Sequence, residues 1–334
     1  MTFEGDTAGL AVAEAIQTSP AADRRVLVDD YTRHVINDTF LALSRDPTLK
    51  QEAAASWVMF DRLQTEGVSL RVTNPVSRNP LRYPLRNHKK LLVVDNAVWV
   101  GGINFSDHNF AWHDIMLRIE GKEVADWLAG EFNADWRGQP RTSARDFSDG
   151  LHLASMDGTS NHKAFQPLLR LFAQARHSIE VVSAYPTFPF VDAMAAAAQR
   201  GVPVTIYTPR PSNKPIIRDY LLGVARRSGL TIRLLAKMTH IKAALVDGEV
   251  LVLGSSNFDF VSHRANAETI ATIRDPALIA DFTARVLAPA RVGASEVQSA
   301  DYSRLRSLRA RLGLKAADAA LSCLRHGERI AAWS

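Results

Sequence analysis

The sequence is poor in cysteine, since Cys323 is the only one among its 334 residues. A single cysteine rules out a disulfide framework and fits a reducing compartment. Long hydrophobic runs are missing too, because no apolar stretch reaches the roughly 18 residues that a membrane-spanning helix needs. The first ten residues contain acids and no basic region, which is not typical of a signal peptide. We therefore expect a soluble, cytoplasmic protein.

Acidic residues are also fewer than basic ones. The chain has 40 Lys and Arg residues against 35 Asp and Glu residues, a net charge of +5 that favours anionic partners. Residues 301–334 hold seven basic residues against three acidic ones, and Leu305, Leu308 and Leu312 follow helical spacing there. We predict a basic amphipathic helical tail over residues 291–334, with its leucines packed on the body of the protein. Attachment of the tail to nucleic acid or, peripherally, to the inner face of a membrane is the alternative.

What the chain does contain is one pattern that occurs twice, about 150 residues apart. Each copy has a His-x-Lys-x4-Asp motif, a strand-like run and a glycine-containing turn that ends in asparagine. The copies are His88-x-Lys90-x4-Asp95 with Gly101-Gly102-Ile103-Asn104, and His240-x-Lys242-x4-Asp247 with Gly254-Ser255-Ser256-Asn257. Chance can explain one such motif but hardly two with the same turn at nearly the same offset. A pseudo-twofold fold could bring both copies to one cleft.

These residue types suit phosphodiester chemistry. Residues two apart on a strand face the same side, so the His and Lys of each motif should point together. Asn104 and Asn257 can donate hydrogen bonds to a phosphoryl oxygen, and the two lysines supply charge there, so we expect neither a metal nor a cofactor. Asp95 and Asp247 lie at predicted hairpin turns, where we interpret them as structural residues.

The two histidines can divide the reaction between them. One neutral imidazole can attack phosphorus, while the other, protonated, gives its proton to the leaving alkoxide, which predicts a bell-shaped pH dependence. Each histidine needs a carboxylate on its other ring nitrogen. Asp114 and Glu268 lie at matching offsets after the two turns and are the candidates for this role. Trp112 is expected to be a packing residue.

Both halves read as alternating strands and helices, which indicates an α/β fold in each. A helix is predicted over residues 39–65 in the first half. The segment 138–150 is rich in Gly, Pro, Ser and Arg and separates the halves. We therefore divide the chain into a first half over residues 1–140, a second half over residues 151–290, and the tail.

Other residues around the motifs strengthen one resemblance. They are Arg86-Asn87, Trp112-His113-Asp114, Phe258-Asp259, Asn266-x-Glu268 and Phe3-x2-Asp6-x2-Gly9. With the paired motifs, they make the chain resemble, over roughly residues 3–290, the phospholipase D superfamily and its bacterial cardiolipin synthase-like branch. The resemblance implies two similar α/β halves, each a mixed sheet flanked by helices, in a pseudo-twofold arrangement with one shared active site. It also implies a phosphohistidine mechanism in which His88 is the nucleophile and His240 the acid and base.

Two features depart from that branch. We expect none of the N-terminal membrane spans that its members usually carry, and the strand expected before Phe3 is missing or nearly so. The leading hypothesis remains hydrolysis or phosphatidyl transfer on phospholipids with anionic headgroups. A nuclease-type phosphodiesterase and a non-catalytic scaffold are the alternatives. Arg78 and Arg82, before the first motif, could contact substrate phosphate or simply be solvated.

Overall fold

The computed structural model describes residues 2–37, 39–76 and 83–331, with side chains up to Arg325 in the last helix. The predictions for Arg78 and Arg82 fall outside these residues. Within the described part of the chain, no helix is both long and apolar enough to cross a bilayer.

The first half is divided among small sheets. Its elements in chain order are α1 (Thr7–Thr18), β1 (Arg25–Asp29), β2 (Val35–Ile36), β3 (Thr39–Phe40), α2 (Pro47–Thr65), β4 (Ser69–Thr73), β5 (Leu91–Val94), β6 (Ala97–Gly101), α3 (Asp107–Ala111), β7 (Met116–Glu120) and α4 (Lys122–Trp136). β1 pairs in parallel with β4, while β5, β6 and β7 form a separate antiparallel sheet.

The second half is built on one large mixed sheet. Its elements are β8 (Ser143–Asp146), β9 (Leu151–Asp157), α5 (Asn161–Ala164), α6 (Gln166–Gln174), β10 (Ile179–Ser183), α7 (Phe190–Gln199), β11 (Val204–Pro209), α8 (Pro215–Ser228), β12 (Thr231–Leu235), β13 (Lys242–Val246), β14 (Val250–Gly254), α9 (Phe260–Arg264), β15 (Ala267–Ile273), α10 (Pro276–Phe282), α11 (Ala288–Gly293), β16 (Ala294–Glu296) and α12 (Arg304–Ala331). The nine strands follow the order β16-β12-β11-β10-β13-β14-β15-β9-β8, in which β10, β11 and β12 are parallel.

Two edge strands of this sheet come from outside residues 151–290. β8 comes from the segment between the halves, and β16 comes from the beginning of the predicted tail. Residues 294–296 are therefore extended rather than helical, and α12 begins only at Arg304.

The predicted helix over residues 39–65 begins later than expected. Asp46 caps α2 by accepting a hydrogen bond from the Thr48 N–H (2.9 Å), and Pro47 occupies the first helical turn. Thr39 and Phe40 form β3 instead.

The core joins the two halves face to face. Val98 and Val100 of β6 are fully buried and belong to the same apolar cluster as Ala243, Leu253 and Ala271 of the large sheet. The other face of the large sheet is covered by helices, including α6 and α7. Because the motif strands β5 and β13 belong to the sheets that meet here, the packing brings both motifs to the interface between the halves.

The motif aspartates are turn residues, as expected. Asp95 and Asp247 have left-handed backbones, with φ of 50° and 55°, where short polar side chains are tolerated. The Asp247 carboxylate also accepts hydrogen bonds from the backbone N–H groups of residues 176–178. These bonds tie the hairpin to the start of β10, away from the motif histidine.

The tail helix packs differently from the prediction. Leu305, Leu308 and Leu312 are 55%, 51% and 61% exposed, so the expectation that they pack on the body is wrong. The inward face of α12 is instead formed by smaller or later residues, namely Ser307, Ala310, Leu314 and Leu321. Close approach of α12 to α8 favours small residues at the contact: the β-carbon that a side chain at Gly223 would add lies 2.8 Å from Ser307 Cβ.

Candidate active site

Each motif histidine is held by the backbone of the other half. The His88 N–H donates to the carbonyl of Ala267 (2.9 Å), and the Ala267 N–H donates back to the carbonyl of Arg86 (2.8 Å). In the reverse direction, the His240 N–H donates to the carbonyl of His113 (2.8 Å). Short parallel bridges between the halves lie at both places. They bring the two motifs together at one point of the interface.

The next residue after each of these bridges carries a carboxylate that faces the histidine. Asp114 Oδ2 lies 2.7 Å from His240 Nδ1, and both Glu268 carboxylate oxygens lie 3.1 Å from His88 Nδ1. The two carboxylates that the sequence singled out thus both contact a histidine. Each serves the histidine of the opposite half, which the offsets along the sequence did not reveal.

Glu268 has two further hydrogen-bond donors. Ser255 Oγ donates to its Oε2, and Ser262 Oγ donates to its Oε1 (2.7 Å). The side chain is completely buried, so these contacts compensate for the loss of water around the carboxylate. Sequence reasoning missed Ser262, although Asp259-x2-Ser262 is an N-capping pattern in which the Asp259 carboxylate accepts from the Ser262 N–H (2.7 Å).

The motif lysines are buried beside the histidines. Lys90 is 1% exposed and Lys242 is 2% exposed, and each ammonium donates to the backbone carbonyl of its own motif histidine. β5 begins only at Leu91, so His88 and Lys90 lie just ahead of the strand on which they were predicted. Lys242 is the first residue of β13.

The two turn asparagines have different surroundings. Asn104 Oδ1 accepts from the Thr2 N–H (3.2 Å), and its amide nitrogen lies 3.4 Å from Asn109 Oδ1. Among the described residues, Asn257 Oδ1 is buried without a hydrogen-bond partner. An unsatisfied buried acceptor is costly, which is typical of a position that a ligand completes.

A cavity of about 410 Å³ opens at the meeting point of the motifs. The motif residues that line it are His88, Lys90, Asn104, His240 and Asn257. One wall is aromatic: Tyr31 and Tyr83 stack with ring centroids 5.7 Å apart, and Phe40 packs edge-on against Tyr83 at 5.1 Å. The cavity therefore combines a charged, hydrogen-bonding floor with an apolar side.

Burial sets the protonation state of His88. The low polarity around the ring and the neighbouring Lys90 ammonium disfavour the imidazolium, and they outweigh the attraction of Glu268. The pKa of His88 falls to about 4 as a result. His88 is therefore neutral at physiological pH.

The charged partners of His88 are shifted as well. Burial also lowers the pKa of Lys90, to about 7, with a contribution from the Lys242 ammonium. Burial by itself would raise the pKa of Glu268, but its interactions with His88, Lys90 and Ser255 hold that pKa at about 2. An ionised carboxylate thus stays behind a neutral imidazole.

Aromatic side chains surround His240. The Trp112 ring centroid lies 5.6 Å from that of His240, and the Tyr185 centroid lies 6.1 Å away. Trp112 therefore contacts a motif histidine instead of serving only as core packing. Tyr185 and the neighbouring Lys214, whose ammonium lies 4.4 Å from the Tyr185 ring centroid, also line the cavity. No motif in the sequence indicated these two residues.

Among the described residues, one acidic group has atoms close enough to hold a cation, and it consists of Glu4, Asp6 and Glu52. None of the paired-motif residues belongs to it. Glu4 is 2% exposed, lines the cavity and has its Oε2 3.7 Å from His108 Nδ1, so it forms part of the polar wall.

A family model described as "Cardiolipin synthase, PLD-like domain" matches residues 21–136 and 168–288. The match includes both motifs, both turns and both carboxylates. It also leaves α12 outside.

Curated relatives agree with this match. The chain is 30% identical over 268 residues to cardiolipin synthase A of Escherichia coli, covering 70% of this chain and 51% of the relative. It is 27% identical over 223 residues to the minor cardiolipin synthase ClsB of Bacillus subtilis, covering 60% of this chain and 55% of the relative. The chain spans about half the length of the curated relatives it matches.

Solved structures show the same fold. A phosphatidylserine synthase of Haemophilus influenzae superposes with a TM-score of 0.65 at 17% identity, covering 97% of this chain and 88% of that one. A polyphosphate kinase of Porphyromonas gingivalis superposes with a TM-score of 0.55 at 11% identity, covering 92% of this chain and 51% of that one. With a family model that matches both halves and two motifs that meet at one cavity, the chain belongs to the cardiolipin synthase family of phospholipase D-like proteins.

Proposed function

We propose that this protein transfers the phosphatidyl group of a phospholipid to an alcohol or to water through a covalent phosphohistidine. The observation that carries the proposal is the pair of histidines beside one cavity, each held by a carboxylate and a backbone bond from the opposite half. Because both Nδ1 atoms are engaged by carboxylates, the Nε2 atoms are the ones that act on the substrate.

In the first step, Nε2 of neutral His88 attacks phosphorus, and the P–O bond to the headgroup alcohol breaks. His240, protonated, gives its Nε2 proton to the leaving oxygen. The low pKa of His88 supports this assignment, since the ring is unprotonated at neutral pH without help from a base. The duplicated sequence motif could make this choice only by resemblance.

In the second step, His240 takes a proton from the acceptor alcohol or water. The acceptor oxygen attacks phosphorus, and the P–N bond to His88 breaks. Two successive displacements give net retention of configuration at phosphorus. A substrate phosphate beside Lys90 would raise the pKa of that lysine above about 7 and keep it charged during both steps.

The remaining motif residues have supporting roles in this scheme. Lys90 and Lys242 neutralise the phosphoryl oxygens, while Asn104 and Asn257 bind them or the adjacent hydroxyl groups. Asp114 and Glu268 orient the histidines and stabilise their charged forms. Each half contributes four of these eight residues, so the proposed site is complete only where both halves meet.

A phospholipid substrate is supported by the family and by the curated relatives, which are named cardiolipin synthases. The same comparisons do not favour the nuclease alternative. Since such substrates reside in bilayers, we propose that the protein works at a membrane surface and attaches to it peripherally through residues 301–334.

The test is incubation of the purified protein, in EDTA, with liposomes that contain labelled phosphatidylglycerol, followed by separation of the products. Cardiolipin and glycerol would establish a transferase, and phosphatidic acid would establish a hydrolase. The variants His88→Ala and His240→Ala should both be inactive, whereas His177→Ala, a surface control, should keep its activity. Turnover by either of the first two variants would refute the two-histidine mechanism.

A further inference from the structure

The last helix has two apolar faces. Its inner face, with Ala310, Leu314 and Leu321, is packed against the body of the protein. Positions 305, 308 and 312 are spaced by three and four residues, so their side chains share a second face one above the other. On this face the three leucines are 55%, 51% and 61% exposed, although each would gain free energy from burial.

This outer face lies within a strongly basic helix. From Arg304 to Arg325 the helix has six basic residues and one acidic residue, Asp318. That acid is paired with Arg264 (2.8 Å), which leaves the charge of α12 positive. Arg304, Arg309 and Arg311 are exposed next to the leucines, where their long side chains can extend past an apolar surface.

A further exposed apolar side chain lies beside α12, near the cavity. Ile216, in the first turn of α8, is 43% exposed and adjoins Gly313, since its Cδ1 lies 3.8 Å from the position of a β-carbon there. Lys214, two residues earlier, immediately precedes α8 and lines the cavity beside Tyr185. The middle of α12 thus lies beside the helix start that borders the candidate active site.

We infer that the leucine face, consisting of Leu305, Leu308 and Leu312, docks on an anionic phospholipid bilayer, with Ile216 and the Lys214 rim of the cavity next to the lipid. The inference rests on the proposed function for its lipid substrate. Exposed leucines flanked by arginines fit the boundary between headgroups and acyl chains, where the arginines meet lipid phosphates. A second copy of this chain is a poorer occupant, because a twofold contact would place the basic surfaces of both copies opposite each other.

The test uses the full-length protein with sedimented vesicles of phosphatidylcholine alone or with added phosphatidylglycerol. The wild type should bind the anionic vesicles more tightly. The triple variant Leu305→Ser/Leu308→Ser/Leu312→Ser should lose binding by at least about tenfold, because three apolar side chains no longer enter the bilayer. The control variant Leu10→Ser/Leu43→Ser/Val58→Ser removes three exposed apolar residues from the first half and should bind like the wild type.

Activity separates docking from chemistry. The leucine variant should turn over monomeric short-chain phosphatidylglycerol at the wild-type rate but lose activity on vesicles. Wild-type vesicle binding by this variant, or an equal loss in the control variant, would overturn the inference. A shift from dimer to monomer without a change in vesicle binding would overturn it too and would assign the face to a second copy. Vesicle binding without turnover of either lipid form would instead contradict the proposed function.

Discussion

The two halves carry the same motif on differently built supports. In the second half, β10 pairs with β13, so the motif strand lies inside a continuous nine-stranded sheet. Every residue of β13 is buried. In the first half, β1 and β5 belong to separate sheets among the described residues, and β5 alternates between half-buried and exposed positions. The position of the first motif is therefore held less by the sheet that contains it.

Polar contacts take the place of the missing strand pairing. Asp29, the last residue of β1, accepts hydrogen bonds from Arg86 Nη1 (2.8 Å) and from the Asn87 N–H (2.6 Å), just before His88. Lys89 forms a second buried ion pair, with Asp135 of α4 (2.9 Å). At the end of β10, the corresponding position is Ser183, which is aligned with Lys242 in the sheet. A ladder of backbone bonds thus does in one half what buried charges do in the other.

The two halves also differ in the size of one turn residue and of the carboxylate that it contacts. Gly102 leaves room for Asp114, because a β-carbon there would lie 2.3 Å from Asp114 Oδ1. At the matching position the second half has Ser255, whose hydroxyl bonds to the longer Glu268. Both turns therefore need a small residue at this position. Glycine leaves room for Asp114, and serine reaches Glu268 with its hydroxyl.

The largest expected effect separates the roles of the two histidines. His88→Ala and His240→Ala should each reduce activity on natural lipids by about 10⁴-fold or more. With a phosphatidyl ester of 4-nitrophenol, whose leaving group needs no proton, His240→Ala should still release a burst of nitrophenolate and accumulate phosphohistidine. His88→Ala should show no burst. A burst from His88→Ala instead would reverse the assignment.

The next largest effect is on stability, at the contacts that hold each motif in place. Asp29→Asn removes the carboxylate that forms a buried ion pair with the Arg86 guanidinium and should lower the free energy of unfolding by about 3–5 kcal/mol. Ser183→Ala removes a hydroxyl that donates to the Asn257 carbonyl (3.2 Å) and should cost about 1 kcal/mol. Denaturant titration of both variants measures the difference. Equal losses would show that the first half does not depend on its ion pair.

Exchange of the small residues should have a smaller and unequal effect. Gly102→Ser introduces atoms where the Asp114 carboxylate lies, so the hydrogen bond to His240 should be lost and kcat should fall by about 100-fold. Ser255→Gly removes one donor to Glu268 and should reduce kcat by less than about tenfold. The two variants are measured on monomeric lipid, with circular dichroism as a check on folding. A larger loss of kcat in Ser255→Gly than in Gly102→Ser would contradict the proposed match between each turn residue and the carboxylate that it contacts.

The smallest expected effect is in the pH profile. Below its pKa of about 4, His88 is protonated and cannot attack, so kcat/KM should rise as the pH increases through about 4. Above about 7, Lys90 loses its charge in the free enzyme, so kcat/KM should decline again. Lys90→Arg should move the alkaline limb to higher pH, since guanidinium remains charged. An acid limb near the ordinary histidine pKa of about 6.5 would contradict the lowered pKa of His88.

The sequence was informative wherever chemistry depends on residue type and local spacing. The duplicated motif indicated the histidines, lysines and asparagines, and matching offsets were sufficient to select Asp114 and Glu268. Helix α2 shows the limit of periodicity, because the residue that starts it is set by the cap at Asp46 and not by the apolar pattern. The contacts of Tyr185 and Lys214 with the cavity had no local signal at all.

Sequence by itself determined the α/β class, the family resemblance and the set of candidate site residues, because these follow from residue identity and short-range order. Only the tertiary structure decided that each carboxylate serves the histidine of the other half and that burial keeps His88 neutral. It also decided that Leu305, Leu308 and Leu312 face outward. Helical spacing places three leucines on one face, but which face turns inward depends on the shape of the partner surface, and here Gly223 of α8 lies close to Ser307.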